Sequence, residues 1–455
     1  MSAAGRRAAE EKMRAAGAPE EAIRGFARAY DRLDAGERML LASADLEPVP
    51  DVPALESLPD ADPARALGAL AVIKLNGGLA TTMGLDRPKS LLEVREGRSF
   101  LDVIVGQILG LRRRHGVALP LLLMDSDATR TETLRALAAH PDLDAGLPLD
   151  FLQGMVPKLE RDTLAPVSWP AAPALEWCPP GHGDVYGALR RSGILAMLLE
   201  RGIRHAMISN ADNLGATPDP RIAALVARER IPFLMEVVEG SEADRKGGHL
   251  ARRRADGALV LRETAQTPPG EEDSFRDHRR WRYYNTNSLW VDLEALAATL
   301  EQADGVLELP LIVNPKTVDP RDGASTPVLQ LESAMGAAIE RFAGARIVRV
   351  PRTRFAPVKT TDDLLVLRSD AYRLTGELFV EPATEPLPYV ELDPRYYRLL
   401  DGFERRFPSG PPSLREATRL TVTGDVTFGA GVRVRGAVEL RVDEPARIAD
   451  GALLS

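Results

Sequence analysis

Hydrophobic residues gather along this chain in short runs, and between the runs lie stretches in which apolar positions recur three and four residues apart. The runs at 71–75, 120–124, 203–209, 232–238 and 346–350 predict buried strands. The intervening patterns at 99–114, 131–139, 186–201, 221–228, 291–300 and 331–342 predict helices. This alternation implies an α/β fold in which a parallel or mixed sheet carries helices on both faces, with ligands outside the carboxyl ends of the strands. Before it, residues 1–46 are charged and alanine-rich at helical spacing, predicting one or two helices, and the proline-rich 47–63 reads as a linker or extended wrap. After about Pro382 the texture changes to extended proline-rich segments, then to short β runs between glycines. Their roughly six-residue spacing of Val, Phe and Ile marks a small β-solenoid, with a plain β-meander as the alternative. The expected division is 1–63 helical segment and linker, 64–381 main domain, and 382–455 β-rich tail.

Composition narrows the partners. At 455 residues the chain exceeds the size of one ordinary core, and 58 basic against 66 acidic residues leave a net charge of −8. That balance argues against a nucleic-acid surface and for small-molecule ligands. The single Cys178 fits a reducing compartment. The N-terminus lacks the apolar core of a signal peptide, and no apolar run reaches the ~18 residues of a membrane span. A cytoplasmic location is the expectation.

Candidate chemistry lies at the ends of the predicted strands. Leu75-Asn76-Gly77-Gly78 follows the first strand directly, and Pro88-Lys89-Ser90 adds a cation. The glycine pair can expose its N–H groups to phosphate or to a base edge, or can be a purely structural turn. It is neither a Walker loop, since Pro88 precedes the lysine, nor a dinucleotide fingerprint, since the glycine spacing is wrong. The loop from Glu176 to Asp184, Glu-Trp-Cys-Pro-Pro-Gly-His-Gly-Asp, precedes a predicted helix, so His182 can donate to an anion there or serve structure. In Ser209-Asn210-Ala211-Asp212-Asn213 a buried strand ends in one carboxylate, which suits Mg²⁺ or an Asx turn. Lys246-Gly247-Gly248, Glu263 and Asn285-Thr286-Asn287 offer donors and acceptors for a polyhydroxylated ligand, the two asparagines facing one side of an extended segment. Lys359, just ahead of a helix capped by Thr or Asp, supplies a second cation suited to a polyphosphate.

These motifs, in this order, closely resemble the eukaryotic-type UTP–glucose-1-phosphate uridylyltransferases, or UDP-glucose pyrophosphorylases. The resemblance runs from about Leu70 to Asp370, with further similarity at Val390-Glu-Leu-Asp393 and in the tail. It implies a Rossmann-like nucleotidyltransferase sheet with a small C-terminal left-handed β-helix through which the family assembles. By the same resemblance, Leu75, Asn76, Gly77, Gly78 and Gln153 hold uracil, and Gly181 and Asn210 approach the nucleotide. His182 meets the sugar phosphate, Asp212 holds Mg²⁺, and Lys89 and Lys359 flank the phosphates as the catalytic cations. Gly248, Glu263, Asn285 and Asn287 bind glucose hydroxyls. The implied reaction joins UTP and glucose 1-phosphate into UDP-glucose with release of pyrophosphate. Galactose or N-acetylglucosamine 1-phosphate is an alternative substrate, and a non-catalytic UDP-sugar sensor an alternative role. Two departures stand out, Ala80 in place of glycine and Leu85-Asp86-Arg87 before Pro88. An inward Asp86 would oppose a triphosphate, so it is expected to point outward, with Arg87 pairing with it or with the ligand.

Overall fold

The computed structural model describes residues 2–37, 39–245 and 247–455, so Lys246 lies outside the described residues. Helices α1 (Ser2–Ala15) and α2 (Glu20–Asp34) open the chain. Ten strands then form one mixed sheet. In chain order they are β1 (Leu46–Pro48), β2 (Leu70–Leu75), β3 (Leu121–Asp125), β4 (Asp150–Leu152) and β5 (His205–Asn210). Next come β6 (Phe233–Glu239), β7 (His249–Arg253), β8 (Leu259–Arg262), β9 (Tyr283–Asp292) and β10 (Arg346–Arg349). The main path runs β1-β7-β9-β5-β2-β3-β4, while β6 joins β9 to β10 and β8 flanks β7. Strands β5, β2, β3 and β4 are mutually parallel, and β9 runs antiparallel to its neighbours β5 and β6.

The apolar runs are continuous because both faces of the parallel strands are covered. Along β2, Leu70 and Val72 join the core on one face, and Ala71 and Ile73 the core on the other. Helices α3 (Phe100–His115), α4 (Asp127–Leu137), α7 (Pro220–Glu229) and α9 (Thr361–Arg368) pack on the first face. Helices α5 (Val185–Arg191), α6 (Ile194–Glu200) and α8 (Leu293–Gln302) cover the second. Helix α3 starts at Ser99, whose hydroxyl and the Asp102 carboxylate cap each other's backbone N–H, and ends at Gly116 with φ of 65°.

Several sequence expectations need correction. The predicted helix over 331–342 is instead the end of a strand (Pro327–Glu332) followed by 3₁₀ turns at Met335–Arg341. That strand belongs to a separate three-stranded sheet with Ile312–Thr317 and Leu159–Glu160. The helix expected over 186–201 breaks in two at Gly193, which takes φ of 77°. The helix expected from 291 begins at Leu293, because Val291 and Asp292 complete β9. The proline-rich 47–63 is a wrap: β1 pairs antiparallel with β7, and Ala54 bridges to Arg349.

From Tyr389 onward the paired strands of the tail run parallel. Tyr389–Leu392, Ser413–Thr423, Arg433–Arg441 and Leu453–Leu454 line up in that order, and Val426–Phe428 pairs with Ala446–Ile448. Leu420, Val422, Val426 and Phe428 point inward and join Tyr397, Phe403 and Phe407 in the core of the main sheet's first face. Among the described residues no helix is long and apolar enough to cross a membrane.

Candidate active site

Loops leave three of the parallel strands at their carboxyl ends. They place Leu75, Asn76, Gly77 and Gly78 after β2, Gln153 after β4, and Asn210 and Asp212 after β5 around a cleft of about 260 Å³, which Lys89, Gly181 and His182 complete. All ten were expected at a ligand site from the sequence.

The glycine pair and its lysine are joined by a fold-back. Leu79 bridges to Pro88, Ala80 N–H donates to the Arg87 carbonyl, and Lys89 N–H donates to the Gly78 carbonyl at 3.1 Å. Ala80 is buried at φ of −80°, so the departure from glycine carries no backbone strain. Asp86 points outward as expected, but its partner is Arg321 rather than Arg87, which reaches the Leu91 carbonyl. Neither Gly77 N–H nor Gly78 N–H donates to another described residue. A Cβ built at Gly77 would lie 2.6 Å from Gln153 Nε2, so glycine here lets the Gln153 amide lie against the loop. That amide makes no side-chain hydrogen bond among the described residues and is available to a ligand.

Asn76 works differently from the expectation. Its amide nitrogen donates to Asp125 Oδ1 at 2.7 Å and to Thr133 Oγ1 at 3.0 Å, so its NH₂ is committed to holding the loop. Asp125 is itself buried, and burial pushes its carboxyl up to about 6 against the hydrogen bonds from Asn76 and Thr129.

Lys89 Nζ and Asp212 Oδ2 form an ion pair at 2.7 Å, each side chain about one-fifth exposed. The other oxygen, Asp212 Oδ1, is buried with no hydrogen-bond partner. An orphaned carboxylate oxygen at the mouth of a cleft fits a divalent cation. Among the described residues no cluster of three or more His, Cys, Asp or Glu surrounds it.

His182 is resolved to one state. Met335 N–H donates to its Nδ1 at 3.0 Å, which places the ring proton on Nε2, and burial holds its pKa down at about 4. It is therefore a neutral donor. Gly181, with φ of 81°, brings this loop so close to Ser333 that a Cβ would overlap the Ser333 carbonyl.

The four expected sugar-facing residues form a second cluster, Gly248 just before β7, Glu263 just after β8, and Asn285 and Asn287 on β9. Asn285 N–H donates to the Gly248 carbonyl at 3.0 Å, and Asn285 Nδ2 to Asn287 Oδ1 at 2.8 Å. Asn287 adopts φ of 55°, which turns it back beside Asn285. A Cβ at Gly248 would lie 2.5 Å from Glu263 Oε1, so the Glu263 carboxylate rests on bare backbone. Burial pushes that carboxyl up to about 7, with the Lys359 cation pulling the other way. Lys359 is exposed and stands between the clusters, because Val358 N–H donates to the Asp212 carbonyl at 3.2 Å. Its own N–H and that of the N-cap Thr360 donate to Asp363, as the helix cap predicted.

Sequence reasoning missed the piece that connects the clusters. Met335 holds His182, and a Cβ on the next residue, Gly336, would sit 2.8 Å from Asn285 Nδ2. It also missed three charges buried beneath the cleft, Lys74, Glu236 and Arg354. Lys74 Nζ donates to Ser209 Oγ and the Ala216 carbonyl, and burial and Arg354 lower its pKa to about 7. Each sits within an apolar run or a run of arginines, where pattern alone gives no signal.

The sequence profile of the UTP–glucose-1-phosphate uridylyltransferases matches residues 24–435. The chain belongs to this family. It is 41% identical to the UTP–glucose-1-phosphate uridylyltransferase of Saccharomyces cerevisiae, over 82% of this chain and 74% of that protein. The potato enzyme, from Solanum tuberosum, is also 41% identical, over 87% of this chain and 82% of its own length. Among solved structures, UDP-glucose phosphorylase from Trypanosoma brucei superposes with a TM-score of 0.93 at 43% identity, covering 99% of this chain and 98% of that one. A variant of UDP-glucose pyrophosphorylase from Leishmania major, in complex with UDP-glucose, gives the same TM-score of 0.93 and identity of 43%, with coverage of 99% and 98%.

Proposed function

We propose that this chain transfers the uridylyl group of UTP to glucose 1-phosphate, forming UDP-glucose and pyrophosphate. The observation that carries the proposal is that Gly77, Gly78 and Gln153 line one cleft together with the Lys89–Asp212 pair. Backbone N–H groups and a free primary amide match the acceptor, donor, acceptor edge of uracil, whereas cytosine reverses part of that pattern. A cation beside a carboxylate with one unpartnered oxygen suits a polyphosphate and its metal.

In the reaction, a phosphate oxygen of glucose 1-phosphate attacks the α-phosphorus of UTP. The new P–O bond forms as the bond to the bridging β-phosphate oxygen breaks, and pyrophosphate leaves with that electron pair. No enzyme nucleophile takes part. Lys89 and Lys359 neutralise charge on the phosphates, so that two anions can approach in line. His182 donates from Nε2 to the sugar phosphate without adding a charge that varies with pH above its lowered pKa. Asp212 would hold Mg²⁺ through the orphaned Oδ1, and the bound ion supplies further neutralisation of the triphosphate. Glu263, Asn285 and Asn287 hold the sugar hydroxyls.

The tail reads best as a short β-solenoid. From Ser413 onward its parallel partners recur 18 to 20 residues apart, with Leu420 beside Val438, Val426 beside Ala446 and Arg433 beside Leu453. A division into 1–63, 64–381 and 382–455 belongs to this proposal. So does self-association through the tail, supported by exposed Tyr389 and Leu453 and tested by light scattering across concentration. A cytoplasmic location is supported by the buried, unpaired Cys178.

A panel of sugar 1-phosphates with UTP, read by pyrophosphate release, tests the function. Glucose 1-phosphate is expected to give the highest kcat/KM. Dominant turnover of the galactose or N-acetylglucosamine compound would reject the sugar assignment, and binding of UDP-glucose without turnover would make the chain a sensor.

A further inference from the structure

The two cations and the carboxylate proposed to meet the phosphates lie on separate loops. Asp212 follows β5 and Lys359 follows β10 by ten residues, so their relative position must be fixed by something other than local chain geometry. Beneath both loops Glu236, in the middle of β6, is fully buried, and its carboxylate accepts from two side chains, Arg354 and Trp290. Arg354 Nε donates to Oε2 at 2.8 Å, and Arg354 Nη2 to Oε1 at 2.7 Å, a two-pronged pair. Trp290 Nε1 from β9 donates to Oε1 at 2.9 Å. Arg354 Nη2 also donates to the Thr217 carbonyl at 2.7 Å, reaching the far side of the Asp212 loop.

Arg354 is thus clamped by its side chain, and its backbone continues the chain of contacts. Asn213 Nδ2 donates to the Arg354 carbonyl at 3.1 Å, while Asn213 Oδ1 accepts from Ala356 N–H at 3.0 Å and Gly215 N–H at 3.2 Å. Pro357 bridges Asn213, and Val358 N–H donates to the Asp212 carbonyl. Gly215 passes so close to Thr353 that a Cβ would overlap its carbonyl oxygen. From the second side, Lys74 of β2 ties Ser209 to Ala216 and closes the base of the Asp212 loop.

We infer that Glu236 is a positioning residue for uridylyl transfer, acting through Arg354 and Asn213 to set Lys359 against Asp212. The inference rests on the uridylyl-transfer reading and assigns to Glu236 no contact with substrate. A carboxylate this deep carries a desolvation penalty that a purely apolar core would avoid, and a two-pronged guanidinium contact fixes direction as well as distance. The uracil edge is held separately, by the loops after β2 and β4, so base binding does not pass through this network.

The test is Glu236→Gln, measured as the full chain against wild type. A misplacement of about 1 Å at a reacting centre lowers turnover about 100-fold, so kcat is expected to fall by about that factor while the dissociation constant of UDP-glucose stays near the wild-type value. Combined with Lys359→Met, which removes the group being positioned, Glu236→Gln is expected to add little further loss. If Glu236→Gln does not yield folded protein, Trp290→Phe removes the indole donor together with part of the ring, the loss of packing being read separately as melting temperature, and kcat is then expected to fall about fivefold at unchanged affinity. Wild-type kcat in the folded variant used, or effects of Glu236→Gln and Lys359→Met that multiply in full, would overturn the inference. So would parallel loss of kcat, affinity and melting temperature. If the wild-type protein itself releases no pyrophosphate, the functional reading fails; if it does and the variant matches it, the positioning role alone fails.

Discussion

Replacing Gly77 with alanine separates recognition from folding at one atom. The added Cβ would sit 2.6 Å from Gln153 Nε2 and 2.8 Å from its Cδ and Oε1. Carbon contacts relax near ~3.5–4 Å, so the amide must retreat by roughly 1 Å, beyond hydrogen-bond reach of a base held by the loop. Each amide hydrogen bond contributes about 0.5–1.5 kcal/mol, and the two that Gln153 can offer a uracil give about 1–3 kcal/mol, or about five- to 150-fold in kcat/KM for UTP. Folding should not suffer, because Gly77 has no positive φ and the three atoms nearest the added Cβ all belong to the end of a flexible side chain. Removing a glycine from the unfolded chain even stabilises by about 0.4–1 kcal/mol. Steady-state kinetics and thermal unfolding on Gly77→Ala, Gln153→Ala and the double variant read both quantities. On the Gln153→Ala background the alanine should have little further effect. Wild-type kcat/KM in Gly77→Ala, or a double variant whose losses multiply, would refute the placement of Gln153 at the base.

Three further outcomes follow from the same geometry. Lys359→Met should keep UDP-glucose affinity while turnover falls about 100- to 1,000-fold, and stopped assays beside equilibrium binding check it. Chelating divalent metal should abolish turnover and Mg²⁺ restore it, whereas Asp212→Asn should need far more Mg²⁺ for half-maximal rate; a rate indifferent to chelator would remove the metal from the account. Glu263 has a folded pKa of about 7, above the usual 4.5, so the unfolded chain releases its proton first and stability contributed by this group falls as pH rises from 4.5 to 7. Glu263→Gln should therefore be more stable than wild type above pH 7, by up to about 3 kcal/mol in denaturant titrations, yet bind glucose 1-phosphate less well. In wild type the KM for glucose 1-phosphate should rise more steeply as pH drops below 7 than in the variant, where the substrate phosphate, with a second pKa of about 6, still titrates.

The sequence exposed the parallel half of the sheet well because β2, β3 and β5 are buried on both faces and read as unbroken apolar runs. Their carboxyl ends then located the loops of the cleft. The antiparallel half was harder to see. Strand β9 carries Asn285, Thr286, Asn287 and Ser288 in its interior, which interrupts any apolar run; Asn285 pairs with Asn287 and Thr286 donates to the Glu236 carbonyl, while Ser288 Oγ is buried without a partner. The segment from Ser333 to Gly336 looks helical by composition but is drawn into turns by contacts with Pro180, Gly183 and His182, all distant in sequence. Charged candidate residues such as Lys89 and Asp212 were legible as types in the loops near strand ends. Their pairing was not, and neither was the commitment of the Asn76 amide to Asp125 and Thr133. Glu236 and Lys74 stayed hidden because a charge inside an apolar strand gains meaning only when its partners on other strands are known.

The central claim concerns uridylyl transfer in the cleft between Gln153 and Lys89. Pyrophosphate release from purified protein with UTP, glucose 1-phosphate and Mg²⁺, with the sugar nucleotide product identified by mass, tests it most directly. The account predicts equal amounts of UDP-glucose and pyrophosphate, lost when UTP is replaced by CTP. Absence of UDP-glucose under these conditions, or equal turnover of CTP, would contradict it.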